Sequence, residues 1–393
     1  MGIHRDLRPI FSVFSHVQSS PAVEPERNYA ASTTAGTALK GSVLGMILHD
    51  VCEEIRLEEL RQMLGARRVE PGFKHATPDY VRFEKPPVVE QLDPILLPSG
   101  ERLMPQLKYY DYGVISVLLE LPFEADWDGL VELAARCVPN AELERQAQQI
   151  VRARLEKISA AIERPYAEWL TEDYYIFLLC DVPGSPTGLD LLNEHTPQIA
   201  QMLRGEHSGL APIINEDVLR SSLFYYPQDL VTIGWNAALV YDTPAGAETT
   251  IQILEYVNSQ LLEFRHYDEW LTRELDAVYR SLKRSGGFLR RWRMRGEALR
   301  LNGITVEITE LAERSETAIK FVSDMYSARL YRLGATKVGV PEYKSLVNEK
   351  LHTAENLYRF LIDEFHQSRG FLLEVMVVII LVIELVFLFR GKG

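Results

Sequence analysis

The chain has 393 residues and a formal net charge of -13, with 47% hydrophobic and 25% charged residues. This composition excludes a disordered chain. The negative net charge argues against a protein that binds nucleic acid over its whole surface, but it is compatible with one local basic patch. Cys52, Cys137 and Cys180 lie far apart, which excludes a CxxC motif, a metal knuckle and a disulfide framework.

The first two thirds of the chain predict a leader followed by a head domain. Residues 1–40 are rich in Ser, Thr, Ala and Pro, a composition typical of a flexible leader. From there to residue 245, apolar runs that predict strands alternate with segments of helical periodicity. Strands are expected at 42–51, 112–121, 174–182 and 230–241, short edge strands at 81–83, 88–89 and 95–97, and helices at 57–64, 127–162 with a break near Pro139, and 189–204. The pattern predicts a mixed α/β domain over residues 41–245. Within its last strand, we expect Trp235 to be buried in the core.

The next segment, residues 246–370, predicts a helical stalk. Apolar residues recur at spacings of three and four, and the stretch 334–341 has the composition of a turn. Two long amphipathic helices that meet at such a turn fold back antiparallel to bury their apolar stripes. The predicted fold class is therefore α+β: a mixed α/β domain, then a long antiparallel helical hairpin resembling a coiled coil, and lastly the segment 371–390.

Residues 371–389 are almost wholly apolar, and 19 helical residues rise about 28 Å, close to the roughly 30 Å core of a bilayer. The sequence thus predicts one C-terminal transmembrane helix and a tail-anchored protein. Its N-terminal bulk would face the cytoplasm, at a bacterial inner membrane, or the mitochondrial matrix. Glu374 and Glu384 interrupt the apolar run, and we interpret them as contacts between the helices of neighbouring copies. The alternative places Glu374 at the level of the lipid headgroups and Glu384 near enough to Arg390 or Lys392 for partial compensation.

A basic cluster precedes the second stalk helix, and its side chains contrast with the acidic remainder of the chain. The candidate contacts for an acidic partner are Lys283, Arg284, Arg290, Arg291, Arg293 and Arg295. In the predicted hairpin this cluster lies at the membrane end, which favours lipid headgroups over RNA as its partner, with a solvated loop as the alternative.

The sequence contains no recognisable catalytic or cofactor motif. A phosphate-binding loop, a dinucleotide fingerprint and a nucleophile elbow are all missing from it. Three acid-x-x-His pairs, Glu263/His266, Glu349/His352 and Asp363/His366, have the spacing of ligands in di-iron bundles, but such pairs arise readily by chance in acidic helices. We therefore expect no catalytic residue, no metal site and no cofactor.

Several segments together resemble one known family. The run at 355–387, the Asn-Glu-Lys-Leu at 348–351, the strand at 230–241 and the stretch at 50–60 resemble the family named for "required for meiotic nuclear division", the RMD1/Sif2 family. The family's membrane helix carries carboxylates that match Glu374 and Glu384, whereas Val375 replaces its usual Trp. The resemblance implies a non-catalytic, self-associating membrane protein, linked in mitochondria to support of translation near the membrane.

These observations predict a homo-oligomeric, tail-anchored scaffold or tether without catalytic activity, whose head binds an unknown protein partner. One alternative is a channel or transporter component with the shape of a CorA-like magnesium channel, although the chain lacks the second membrane helix and the Gly-Met-Asn loop of that class. Another is an enzyme with an unrecognised site in the head domain.

Overall fold

The computed structural model describes residues 38–65, 81–83, 85–96, 100–138, 141–284, 289–317, 319–321 and 325–390. Of the predicted leader, residues 1–37 lie outside the described residues, and its last two residues, Leu39 and Lys40, belong to the first strand. The strands are β1 (Leu39–Ile55), β2 (Val81–Phe83), β3 (Val88–Gln91), β4 (Ile95–Leu96), β5 (Arg102–Tyr109), β6 (Val114–Ala125), β7 (Ile162–Asp181), β8 (Ser222–Leu223), β9 (Leu230–Ile233), β10 (Ala237–Tyr241) and β11 (Ile319–Phe321). The helices are α1 (Leu57–Leu64), α2 (Trp127–Cys137), α3 (Ala141–Ile158), α4 (Gly188–Arg204), α5 (Pro212–Arg220), α6 (Pro244–Arg284), α7 (Leu289–Thr317), α8 (Met325–Val338) and α9 (Val340–Arg390).

Nine strands form one mixed sheet in the order β3-β5-β6-β1-β7-β10-β9-β8, with β4 paired to β5. Adjacent strands in this sheet are antiparallel, except that β7 and β10 are parallel to each other. The long central strand β1 is buried on both faces because its side chains alternate between two cores. Val43 and Ile47 pack with α2, α3 and α4 on one face, whereas Leu44, Met46 and Leu48 pack with α6 on the other.

The turn that joins β5 to β6 requires a glycine. Gly113 has a φ of +95°, and a Cβ atom there would lie 1.7 Å from the carbonyl oxygen of Cys52. The backbone N–H of Val51 donates to the carbonyl of Gly113 at 3.2 Å, so the turn stays tied to β1. This contact brings the β5–β6 turn beside the last third of β1, where the polar residues discussed below are found.

Most of the predicted elements of the head are confirmed, and two boundaries are corrected. The segment 230–241 is not one strand but the hairpin β9–β10, because Gly234, Trp235 and Asn236 form a turn in which the N–H of Gly234 donates to the carbonyl of Ala237 at 2.8 Å. Trp235 is consequently 63% exposed, contrary to the expected core position. Strand β7 also begins 12 residues earlier than predicted, at Ile162.

The C-terminal third is helical, as predicted, but it is not a two-helix hairpin joined by an eight-residue turn. Helix α6 lies on the sheet over its first half, and its second half packs with α7 and α9, as in the cluster of Val278, Ala298 and Leu361. The predicted first arm is divided into α7, β11 and α8. The turn between α8 and α9 is reduced to one residue, Gly339. Its φ of +92° is one that other residues rarely adopt.

The prediction of a membrane anchor at 371–390 is corrected. Among the described residues, no helix is both long and apolar enough to cross a bilayer. The predicted transmembrane helix is therefore not supported, and the predicted single-pass membrane localisation is wrong.

Candidate functional site

Helix α6 carries polar and ionisable side chains into the core between itself and the sheet. Because an unpaired polar group loses several kcal/mol on leaving water, a buried set of this kind must be paired or neutral. The fully or nearly fully buried members are Glu255, Asn258, Ser259, Gln260, Glu263 and His266.

One buried contact joins Asp50 on β1 to His266 on α6. The His266 Nδ1 lies 2.6 Å from the Asp50 Oδ2, and their side chains are only 9% and 2% exposed. Neither carboxylate oxygen of Asp50 has a hydrogen-bond partner of good geometry among the described residues. The ring of Tyr166 stacks on the ring of His266, with centroids 4.5 Å apart.

An irregularity in the sheet explains how these groups meet. The pairing of β1 with β7 shifts between Asp50, which faces Leu170, and Cys52, which faces Pro165, so the intervening part of β7 departs from the regular ladder. Such a bulge redirects side chains. Here Tyr166 lies within the displaced part and covers His266.

A second buried carboxyl group, that of Glu263, lies close to this pair and accepts a hydrogen bond from the Tyr267 hydroxyl. Burial raises the pKa of Asp50 and of Glu263 well above their usual values, and the neighbouring Asp50 raises the pKa of Glu263 further. Burial also lowers the pKa of His266. The cluster therefore favours neutral carboxyl groups and a neutral imidazole, and it can hold a proton inside the core.

The same face of α6 is joined to its other neighbours by polar contacts. Lys108 on β5 forms an ion pair with Glu255, which is completely buried. The Tyr112 hydroxyl lies 2.7 Å from the Ser259 hydroxyl, and the Tyr331 hydroxyl on α8 donates to the Gln260 side-chain carbonyl at 2.6 Å. These contacts fix the rotation of α6 on the sheet, because each polar group requires one particular partner, whereas a purely apolar interface does not.

An acidic cleft of about 400 Å³ lies beside the cluster, between the ends of β1 and β7 and helix α7. Arg164 donates to Glu53 at 2.7 Å and Arg314 donates to Glu54 at 3.0 Å, so its charges are partly compensated. Its lining is dominated by Glu53, Glu54, Glu163, Glu307, Glu310, Arg164 and Arg314, and it does not include Asp50, Glu263 or His266. The structure therefore separates the cleft from the buried cluster.

The predicted basic cluster is only partly visible. Lys283 and Arg295 are exposed, and the Arg295 guanidinium lies 5.9 Å from the centre of the Phe365 ring. The side chains of Arg284, Arg290, Arg291 and Arg293 lie outside the described residues, so contact of this cluster with lipid or RNA stays a prediction.

The terminal part of α9 presents an unusual surface. We call residues 376–387 the terminal apolar segment, and its 11 apolar side chains are between 47% and 73% exposed. Glu384 is also exposed, whereas the side chain of Glu374 lies outside the described residues. No described part of the chain covers this segment, so the interpretation of both glutamates as contacts between copies stays a prediction.

Only part of the buried cluster could be recognised from the sequence. The pair Glu263/His266 was visible as one of three acid-x-x-His pairs, and the structure buries it against the sheet, whereas Glu349 and His352 are exposed. The role of Asp50 could not be recognised, because a single Asp after an apolar run is typical of the residue at which a strand ends. In the part of the chain that the structure describes, no group of three or more His, Cys, Asp or Glu side chains is placed to hold a metal ion.

Comparison with known proteins identifies the head. A family model described as "Uncharacterized protein MJ0711, N-terminal domain" matches residues 40–248, from β1 to the first turn of α6. The uncharacterized protein MJ0711 of Methanocaldococcus jannaschii is 20% identical over 195 residues, which cover 50% of this chain and 60% of that protein. No solved structure matches the chain. The resemblance to the RMD1/Sif2 family stays a prediction. The family model matches more than half of the residues of this chain, and the chain therefore belongs to the family defined by the MJ0711 N-terminal domain.

Proposed function

We propose that this protein is a non-catalytic, self-associating scaffold whose copies are joined by the terminal apolar segment of α9. The observation that carries the proposal is the exposure of 11 consecutive or near-consecutive apolar side chains near the C-terminal end of α9. At about 90 Å² each, they expose about 1,000 Å² of apolar surface, above the roughly 300–600 Å² of the largest patch on a typical monomer.

The distribution of this surface indicates how many copies associate. Successive residues of a helix point 100° apart, so the eight consecutive apolar residues 376–383 surround the whole helix. Two paired helices cover one side of each, or about 1,000 Å² in total, below the roughly 1,200–2,000 Å² of a stable interface. A bundle of three or more helices covers most of the circumference. We therefore expect an assembly of at least three copies, with Glu384 and Glu374 at contacts between their helices.

The rest of the fold is suited to presenting this segment. Helix α9 packs on α6 and α7, and α6 is fixed on the sheet by the Lys108–Glu255 ion pair and the other buried polar contacts. The head domain thus has a defined attachment to the helix that joins the copies. A scaffold of this kind would present several heads, and its partner protein, at present unknown, would bind there.

A matched pair of variants tests the proposal. Ile380→Asp with Leu381→Asp places two charges in the terminal apolar segment, where these residues are 48% and 57% exposed. Leu189→Asp with Ile213→Asp places the same charges at side chains that are 55% and 62% exposed on α4 and α5. By mass photometry in detergent-free buffer, the first variant should be monomeric and the second should retain the native oligomer. Equal masses for the two variants would refute the proposal.

One observation favours a second candidate function, acid–base catalysis in the head. The Asp50–His266 pair, with the stacked Tyr166, contains groups used for proton transfer, and Asp50 lacks a hydrogen bond of good geometry among the described residues. A screen of small metabolites by thermal shift tests it. A compound that stabilises the native protein but not His266→Gln would support this function, and equal shifts in both would oppose it. The channel alternative required a membrane-spanning helix, and we do not propose it.

A further inference from the structure

Exposed aromatic side chains lie at the open edge of the sheet, in the loop between β8 and β9. Phe224, Tyr225 and Tyr226 are 40%, 60% and 64% exposed. The ring of Tyr225 meets that of Tyr226 edge-on at 4.6 Å and lies 5.0 Å from that of Tyr326 in the first turn of α8. Large aromatic groups are normally buried, so a group of adjacent exposed rings indicates a binding surface.

The backbone of this loop is held in place by hydrogen bonds. The carboxylate of Asp229 accepts from the N–H groups of Tyr225 and Tyr226 at 2.7 and 2.8 Å. The N–H of Gly188 at the start of α4 donates to the carbonyl of Pro227 at 2.8 Å. Because the loop is fixed before any ligand arrives, the rings need lose little freedom when they bind one. The negative charge of Asp229 is directed into the loop and is only 7% exposed.

The neighbouring helix supplies positive charge. Helix α8 contains Arg329, Arg332 and Lys337 and no acidic residue, in a chain whose net charge is -13. Arg329 and Arg332 are exposed, and they follow Tyr326 by about one and two turns, a rise of about 5 and 9 Å. Lys337, at the far end of the helix, pairs with Asp217 at 2.7 Å, so the two arginines are the cations nearest the rings on this helix.

We infer that this aromatic-basic surface, formed by the loop 224–229 and helix α8, binds single-stranded nucleic acid. Unpaired bases stack on aromatic side chains whatever their sequence, and basic side chains along such a surface hold the phosphates. The charge complementarity selects this partner, because an apolar peptide would use the rings but not the arginines. A duplex offers phosphates but keeps its bases stacked inside, so it would use the arginines and not the rings. This inference does not depend on self-association through α9.

The experiment is a fluorescence anisotropy titration of the full-length protein with a labelled 12-nucleotide oligouridine at low salt. Tyr225→Ala with Tyr226→Ala should weaken binding at least tenfold, since each stacked base accounts for about a 5- to 150-fold change in affinity. Tyr225→Phe with Tyr226→Phe keeps the rings and should bind like the native protein, which separates stacking from misfolding. Tyr279→Ala, which removes a ring that is 43% exposed on α6, serves as the aromatic control.

The charged variants complete the test. Arg329→Glu with Arg332→Glu should abolish measurable binding, whereas Arg136→Glu with Arg145→Glu, on α2 and α3, should change it less than threefold. Three results would overturn the inference: no binding by the native protein at low salt, equal losses in the site and control variants, or equal affinity for a duplex of the same length.

Discussion

The buried ion pair between Lys108 and Glu255 allows a sharp test of how α6 is held on the sheet. Glu255 is completely buried and the Lys108 side chain is 11% exposed. Replacing Lys108 by Met keeps a long side chain but leaves the Glu255 carboxylate without its cation. Removing one partner of a buried pair costs about 3–5 kcal/mol of unfolding free energy. Tyr110 also hydrogen-bonds to Glu255 and partly compensates it, so we expect a loss of about 3 kcal/mol.

The double variant distinguishes an unpaired charge from lost packing. With Lys108→Met and Glu255→Leu together, both charges are gone and the unfolding free energy should return to within about 1 kcal/mol of the native value. Lys40→Met is the matched control, because Lys40 pairs with Glu124 at 3.2 Å with both side chains more than half exposed, and it should cost less than about 1 kcal/mol. Urea unfolding followed by far-ultraviolet circular dichroism measures all three. A Lys108→Met loss below about 1 kcal/mol, or a double variant no more stable than the single one, would refute the reasoning.

Further predictions concern buried titratable groups and two glycines. Burial lowers the pKa of His49 from 6.5 to about 4, so its contribution to stability is complete above pH 6.5 and is lost as the pH falls towards 4. In His49→Gln, the fall in unfolding free energy between pH 6.5 and 4, measured by urea titration, should be smaller by about 3 kcal/mol. A pH profile identical to that of the native protein would contradict this prediction. Burial raises the pKa of Asp50 above 3.8, so its contribution is complete below that pH and declines as the pH rises. Asp50→Asn should therefore gain stability relative to the native protein as the pH rises above 3.8, and a difference that does not change with pH would contradict this. Gly339→Ala should lower the unfolding free energy by about 1–2 kcal/mol, because Gly339 has a positive φ. Gly303→Ala, in open space on α7, should raise the unfolding free energy by up to about 1 kcal/mol. Changes of the same sign in both variants would be inconsistent with the structure.

Local patterns in the sequence predicted the elements of the head, because strands and helices leave periodic apolar residues. Helix α1, for example, ends as expected at Gly65, which adopts the left-handed conformation at its C-cap. The hairpin β9–β10 was missed because apolar residues continue on both sides of Gly234, and an apolar run does not reveal a turn of so few residues. The division between α7 and α8 was missed because an amphipathic pattern gives the preferred face of a helix but not where tertiary contacts interrupt it.

The candidate sites depended on contacts that no local pattern contains. Asp50 and His266 are joined only through the pairing of β1 with β7 and the packing of α6, which are set by the whole sheet. The terminal apolar segment was evident from composition, but composition alone does not distinguish a helix that enters a bilayer from one that associates with copies of itself. The structure corrected the first interpretation, because none of the described helices is long and apolar enough to cross a bilayer.

The central claim is that copies of this protein associate through the terminal apolar segment, and the mass of the native protein in solution tests it most directly. Sedimentation velocity of the full-length protein in detergent-free buffer, over a hundredfold range of concentration, should show one species of at least three times the 44.9 kDa chain mass. A single species at the mass of one chain across that range would contradict the account.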